Sequence, residues 1–183
     1  TPAVKLVLVI RGNKWYDIYE MDTYASTVKS ETVRICLAIA ANEDMEINNL
    51  DVSNAYLEAP LDVEIYMELP QTEWIDGKRT VVRLLKSLYG LKQSGELWNK
   101  RINGILTDFG FKRTKSDPCI YVKIEVNSGK TLVGLFVDDI LYAASNLGLM
   151  KKFEEHIASR VRKVSLLGEV KKFLGMEITR DRA

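Results

Sequence analysis

The stretch from Gly134 to Ala143, Gly-Leu-Phe-Val-Asp-Asp-Ile-Leu-Tyr-Ala, constrains the fold more than any other part of the chain. Apolar residues lead up to two adjacent aspartates, Asp138 and Asp139, and continue directly after them. This pattern predicts a hydrophobic hairpin with both carboxylates at its tight turn. The two negative charges repel each other, and a divalent cation such as Mg²⁺ would remove that penalty because hard cations take carboxylate ligands. A solvated Asp-Asp turn without a metal is the alternative on this stretch alone.

A third carboxylate, Asp51, lies near the end of another strand, predicted over residues 45–52. If the two strands are neighbours in a sheet, all three carboxylates meet at one edge of it. Three convergent carboxylates can hold two Mg²⁺ ions about 3.5–4 Å apart, which clamp the attacking and leaving oxygens of a phosphoryl transfer. Such chemistry depends on positioning and charge neutralisation more than on a protein nucleophile. The pattern therefore predicts a two-metal site at Asp51, Asp138 and Asp139.

Composition excludes several other kinds of site. The 183 residues include one histidine, His156, and two distant cysteines, Cys36 and Cys119, so an ordinary Cys/His zinc site cannot be assembled. His156 neighbours Phe153 on a predicted helix, where it is expected to pack or to face solvent. The sequence contains no P-loop or glycine-rich phosphate cradle. We find no signal peptide and no apolar run long enough to span a membrane, and we expect an intracellular protein without membrane contact.

The spacing of apolar residues predicts an alternation of helices and strands. Helices are expected over about residues 30–42, 94–109 and 147–160. Strands are expected over residues 4–10, 45–52, 63–69, 80–85, 120–126, 131–137, 140–143 and 172–179. Helices and antiparallel strands in this order are typical of an α+β sandwich, and we expect the helices to cover one face of the sheet. The chain length is that of a single domain.

Six short motifs occur in the order found in the reverse transcriptases of Copia-type LTR retrotransposons, and the resemblance extends over nearly the whole chain. They are Arg-Gly-Asn-Lys at 11–14, Leu-Asp-Val-Ser-Asn-Ala-Tyr-Leu at 50–57, Ser-Leu-Tyr-Gly-Leu-Lys-Gln at 87–93, Asp-Pro-Cys-Ile-Tyr at 117–121, Phe-Val-Asp-Asp at 136–139 and Lys-Phe-Leu-Gly-Met-Glu-Ile at 172–178. On these motifs the chain is identified as a member of that family. The resemblance implies the palm of a right-hand polymerase, built on an antiparallel sheet, with partial fingers.

The resemblance implies roles for the acidic residues and for one tyrosine. Asp51, Asp138 and Asp139 match the family's catalytic, metal-binding palm aspartates, with Mg²⁺ as the cofactor and Mn²⁺ as a substitute. Tyr56 matches the aromatic residue beneath the incoming sugar that selects deoxynucleotides by blocking a 2′-hydroxyl. Judged from the residues alone, the plain alternative for Tyr56 is a position in the hydrophobic core.

The resemblance also implies residues that contact the nucleotide and the primer. Gln93 matches the residue that packs against the incoming nucleotide, and Arg11 is assigned to nucleotide binding as well. Leu174, Gly175 and Met176 belong to the hairpin that grips the primer end. Judged from the residues alone, the plain alternative for Gln93 is a polar residue of a loop.

The same resemblance implies which parts of a reverse transcriptase are present. We expect residues 1–183 to form a single palm with partial fingers, starting midway through the fingers and ending directly after the primer grip. The thumb, the connection and the ribonuclease H are then absent. These parts supply much of the surface that holds a duplex through phosphate contacts, and the net charge of +1 agrees with their loss.

Two functions of different classes stay open at this point. The first is two-metal nucleotidyl transfer that extends a DNA primer on an RNA or DNA template with deoxynucleoside triphosphates. The second is a non-catalytic, domesticated retrotransposon remnant that binds nucleic acid, a ribonucleoprotein or a protein partner at its truncated edges. Either would act in the cytoplasm, within a virus-like particle, or in the nucleus. Metal binding by the three aspartates separates the two functions.

Overall fold

A computed structural model of the protein describes residues 25–70 and 73–182. Three α-helices lie in this part of the chain: α1 (Ser30–Asn42), α2 (Ser94–Asp108) and α3 (Leu147–Arg160). Their bounds agree with the predicted helices to within a residue. The strand predicted over residues 4–10 lies outside the described residues. None of the described helices is long and apolar enough to cross a membrane.

The strands of the described residues form one large sheet and two small hairpins. The strands are β1 (Glu46–Val52), β2 (Pro60–Glu68), β3 (Val81–Lys86), β4 (Lys112–Arg113), β5 (Ile120–Glu125), β6 (Gly129–Phe136), β7 (Asp139–Ala144), β8 (Val164–Glu169), β9 (Lys172–Phe173) and β10 (Met176–Glu177). The large sheet has six antiparallel strands in the order β4-β5-β6-β7-β1-β8. Strands β2 and β3 pair with each other, as do β9 and β10. The fold is therefore α+β, as predicted.

The helices cover both faces of the large sheet, which corrects the expectation of helices on one face only. Ala40 of α1 shares a small buried cluster with Leu132 of β6 and Ala143 of β7. On the other side of β7, the ring of Tyr142 lies 4.8 Å from that of Phe153 in α3. Because successive residues of a strand point to opposite faces, α1 and α3 lie on opposite sides. Strands β6 and β7 are apolar at nearly every position, and this pattern is typical of strands buried on both faces.

The prediction of a single strand over residues 172–179 is wrong. The segment is a tight hairpin in which β9 and β10 flank the two-residue turn Leu174-Gly175. Both turn residues have left-handed backbone conformations, with φ of 47° and 77°. Such a turn matches the twist of a hairpin, and glycine adopts it without steric cost. Strand β8, which was not predicted, forms the edge of the large sheet next to β1.

Candidate active site

The pairing of β1 with β7 brings the predicted acidic residues to one end of the large sheet. In the antiparallel register, Asp51 lies opposite Asp139, and the buried pair Leu50 and Ile140 lies one step further in. The backbone N–H of Val52 donates a 2.8 Å hydrogen bond to the backbone carbonyl of Asp138. Backbone hydrogen bonds between neighbouring strands therefore hold all three aspartates at this end of the sheet, and the two that lie opposite each other point to the same face.

The turn between β6 and β7 differs in detail from the prediction. Phe136 pairs with Asp139, so the turn consists of Val137 and Asp138 alone, and Asp139 is the first residue of β7. Val137 has a φ of 52°, a conformation that is strained for a β-branched residue. Its carbonyl accepts a 2.8 Å hydrogen bond from the indole Nε1 of Trp98 in α2. Helix α2 thus holds the strained turn in place, and strain of this kind is concentrated at functional sites.

The electrostatics of the paired aspartates favour a cation. Burial, and then the negative charge of Asp51, raise the pKa of the Asp139 carboxyl above its ordinary value. A divalent cation bound between the two carboxylates would offset both effects. Within residues 25–70 and 73–182, however, no three Cys, His, Asp or Glu side chains form a group that could hold a metal ion. The donor chemistry of the carboxylates fits Mg²⁺, but the three aspartates do not form such a group in this structure.

The third carboxylate, that of Asp138, accepts a hydrogen bond from Tyr89. The sequence analysis did not predict a role for Tyr89 at this site. The Tyr89 hydroxyl donates a hydrogen bond to Oδ2 of Asp138, and Oδ1 of the same carboxylate is buried. Burial, and then this hydrogen bond, raise the pKa of the Tyr89 hydroxyl, and the charges of Asp138 and Asp51 add to the increase. Tyr89 stands in the motif at residues 87–93, but the sequence does not show which distant group its hydroxyl meets.

Tyr56 lies beside Tyr89 and Asp138. Its ring packs at a tilt against that of Tyr89, with 4.5 Å between the ring centroids. Burial, and then the charge of Asp138, raise the pKa of the Tyr56 hydroxyl. The residue is half-buried in a short 3-10 helix, Ala55–Glu58, that follows β1 directly. The structure thus brings Tyr56 close to Tyr89 and Asp138.

The other predicted nucleotide and primer residues lie further along the fold. Gln93 caps the start of α2 and is 7% exposed, and none of the contacts among the described residues joins it to the aspartates. Leu174 and Met176 pack against the main core from the hairpin of β9 and β10, and Gly175 stands in the turn of that hairpin. Arg11 lies outside the described residues.

The residues that were not assigned a catalytic role have structural contacts. His156 stacks on the ring of Phe109 with centroids 4.1 Å apart, and its Nε2 lies 2.9 Å from the carbonyl oxygen of Ile105. Cys36 and Cys119 are free thiols, half-buried and buried respectively. His156 packs α3 against the end of α2, and both cysteines pack in or against the main core.

The described residues thus form an antiparallel α+β domain in which Asp51, Asp138 and Asp139 lie at the end of adjacent strands. A family model described as reverse transcriptase (RNA-dependent DNA polymerase) matches residues 4–183. The chain therefore belongs to the reverse transcriptase family, and its relatives place it with the Copia-type enzymes of retrotransposon Pol polyproteins.

Relatives in plants and yeast match nearly the whole chain. It is 35% identical over 182 residues to the retrovirus-related Pol polyprotein from transposon TNT 1-94 of Nicotiana tabacum, covering 97% of this chain and 14% of that protein. It is 33% identical over 181 residues to the Pol polyprotein from transposon RE1 of Arabidopsis thaliana, with 96% and 12% covered. The Ty1-DR4 Gag-Pol polyprotein of Saccharomyces cerevisiae is 33% identical over 190 residues, with 97% and 11% covered. The chain thus spans between 11% and 14% of the length of these three relatives.

Proposed function

We propose that this domain carries out two-metal nucleotidyl transfer, in which the 3′-hydroxyl of a DNA primer attacks the α-phosphate of a deoxynucleoside triphosphate and pyrophosphate leaves. The observation that carries the proposal is the register that sets Asp51 opposite Asp139, with Asp138 in the adjoining turn. Asp51, Asp138 and Asp139 would hold Mg²⁺, or Mn²⁺ in its place. When bound, the metal supplies Lewis-acid activation of the hydroxyl and neutralises charge on the phosphates.

The surrounding residues would position the substrates in this proposal. Tyr56, beside the acidic cluster, would lie under the deoxyribose and exclude a 2′-hydroxyl. Gln93 and Arg11 would contact the incoming nucleotide. The turn residues Leu174 and Gly175, with Met176, would hold the primer end of an RNA or DNA template duplex.

The architecture is compatible with a polymerase palm. We assign the six-stranded sheet and its helices to the palm and the hairpin of β2 and β3 to the fingers, within a single domain over residues 1–183. Asp51 lies in β1, Asp139 begins β7 and Asp138 stands in the turn between β6 and β7, and β6 and β7 are buried at most of their positions. A rigid element of this kind suits metal ligands because small displacements of a ligand cost affinity and rate.

A second candidate function, a non-catalytic binding module derived from a retrotransposon, is favoured by two different observations. The carboxylate of Asp138 accepts a hydrogen bond from Tyr89, and no three acidic, His or Cys side chains of the described residues form a group that could hold a metal ion. The edge strand β8 also exposes two adjacent leucines, Leu166 and Leu167, at 51% and 54%. An exposed edge strand with apolar side chains is a surface on which a protein or ribonucleoprotein partner can dock. Such a module would act in the cytoplasm or the nucleus.

Primer extension on an RNA template with Mg²⁺ or Mn²⁺ tests the two candidates. Asp138→Asn removes one negative charge from the acidic cluster, and we expect it to lower extension by about a hundredfold or more because a metal ligand is lost. Asp108→Asn is the matched control, since Asp108 is exposed at the end of α2, away from the cluster. Extension that survives in Asp138→Asn would contradict the catalytic proposal. Folded wild-type protein without any extension would favour the binding module.

A further inference from the structure

The segment that carries Tyr89 is held rigidly in place. The buried Ser87 donates its backbone N–H to the carbonyl of Ala59 at 3.0 Å, and its hydroxyl bonds to the carbonyl of Tyr56. Ser94, also buried, donates its hydroxyl to the carbonyl of Leu88 at 2.6 Å. These bonds lie on both sides of Tyr89 in the chain. The backbone position of Tyr89 is therefore fixed by the bend at residues 87–93, and its ring packs against that of Tyr56.

The backbone around Asp138 is equally well held. The carbonyl of Asp138 accepts from Val52, and the carbonyl of the preceding Val137 accepts from Trp98, each at 2.8 Å. With the backbone held at both residues, a change in the position of the carboxylate has to come from rotation of the Asp138 side chain. In the structure the carboxylate accepts a hydrogen bond from the Tyr89 hydroxyl, and a cation shared with Asp51 and Asp139 would be a different partner.

We propose that Tyr89 is a positioning residue, whose hydroxyl holds the Asp138 carboxylate out of the three-carboxylate metal site and competes with the divalent cation for it. The inference rests on the proposed function, because it assumes that the three aspartates bind the metal. A hydrogen bond from a neutral hydroxyl to a carboxylate is among the stronger ones in proteins, so breaking it opposes metal binding. Tyr89 thereby lowers the affinity of the site for the cation.

Tyr89→Phe separates this role from the packing of the ring. The variant removes the hydroxyl and keeps the ring that packs against Tyr56. Tyr66→Phe is the matched control, because the hydroxyl of Tyr66 donates to the carboxylate of Glu64 at 3.3 Å on the exposed hairpin of β2 and β3. The difference in metal binding between wild type and Asp138→Asn shows how much of the binding takes place at the proposed site.

The measurement is the dissociation constant of Mn²⁺, obtained by electron paramagnetic resonance of the unbound ion in the absence of nucleotide and primer. We expect Tyr89→Phe to bind Mn²⁺ about three- to tenfold more tightly than wild type, since a charged hydrogen bond no longer has to be broken. Tyr66→Phe should bind as wild type does. Binding that depends on Asp138 but is unchanged or weaker in Tyr89→Phe overturns the role of Tyr89 and leaves the proposed function standing. Binding that is the same in Asp138→Asn and in wild type overturns both.

A second measurement does not depend on the folding of Tyr89→Phe. Addition of Mn²⁺ to the wild-type protein should change the near-ultraviolet absorption of tyrosine, because one phenol loses a carboxylate partner. The change should saturate with the same dissociation constant as the metal and be absent in Asp138→Asn. A metal titration that saturates without any tyrosine difference spectrum overturns the inference.

Discussion

Asp117 illustrates how a single side chain joins distant parts of this fold. The residue is 2% exposed, and its two carboxylate oxygens accept from different backbone groups. Oδ1 accepts from the N–H of Cys119 at 2.9 Å, and Oδ2 accepts from the N–H of Lys29 at 3.3 Å. Lys29 precedes α1 and Cys119 precedes β5, so the carboxylate links the helix on one face of the sheet to a strand of that sheet.

The pKa of Asp117 leads to a prediction about pH. Burial by itself would raise the pKa of its carboxyl, but the hydrogen bonds from Cys119, Thr32 and Lys29 outweigh burial and lower it. A carboxyl with a lowered pKa in the folded state stabilises the fold above its unfolded pKa of about 4. That stabilisation is lost as the pH falls through the folded pKa.

Asp117→Asn should therefore destabilise the protein in a pH-dependent way. An amide places an NH₂ group against one of the two backbone donors, and we expect a loss of about 1.5–3 kcal/mol in the free energy of unfolding at pH 7. Urea unfolding of wild type and variant between pH 7 and pH 3 measures the difference, which should shrink below about pH 4. Asp108→Asn, at an exposed position, should show no such trend. A difference that stays constant with pH would contradict this account of Asp117.

At the scale of elements, helix α2 supports the turn between β6 and β7. Trp98 is 3% exposed, and its indole is bonded to the carbonyl of the strained Val137. A helix that begins at the 87–93 bend thereby reaches the turn that carries Asp138. The hydrogen bond from the Trp98 indole therefore connects the packing of α2 to the position of the turn that carries Asp138.

Trp98→Phe should weaken that support. The substitution removes the donor to Val137 and leaves its carbonyl without that bond, so we expect the free energy of unfolding to fall by about 1–3 kcal/mol. Trp74→Phe is the matched control, because Trp74 donates to the carbonyl of Leu69 at 3.0 Å near the hairpin of β2 and β3. Chemical denaturation monitored by far-ultraviolet circular dichroism compares the two. Equal losses would show that the bond to Val137 has no special importance.

At the scale of the whole molecule, the described residues contain a main core and two smaller buried clusters. The main core runs between the large sheet and its helices. The hairpin of β2 and β3 instead packs around the buried residues Ile65 and Leu91, and its strands alternate between exposed and partly buried positions. Stability in proteins is distributed unevenly between units of this kind.

Hydrogen exchange should reveal this division. We expect the amides of β1, β6 and β7 to exchange only through global unfolding, because each of these strands is hydrogen-bonded to a neighbouring strand on both sides. The amides of β2 and β3 should exchange at a lower opening free energy, since their strands share a small core and exposed edges. Native-state exchange followed by mass spectrometry or NMR over a range of low urea concentrations measures both. A single opening free energy for all ten strands of the described residues would contradict the prediction.

The sequence by itself determined the elements and the acidic residues of this protein. Apolar spacing located all three helices of the described residues, and the apolar runs beside Asp51 and Asp138 located the strands that carry them. These features depend on contacts between residues close in the chain, so local patterns are sufficient to predict them. The ordered motifs were also sufficient for the family, which the comparisons confirm.

Only the tertiary structure decided how these pieces meet. The distribution of helices over both sheet faces, the edge strand β8 and the left-handed conformation of Val137 depend on neighbours distant in the chain. The hydrogen bond from Tyr89 to Asp138 joins residues 49 positions apart, and a lone tyrosine in a bend carries no local mark of its partner. Side-chain partners of this kind are set by the register of β1 against β7 and by the docking of α2. Periodicity and motif spacing predict a strand or a helix, but the contacts between elements are fixed only when the elements pack.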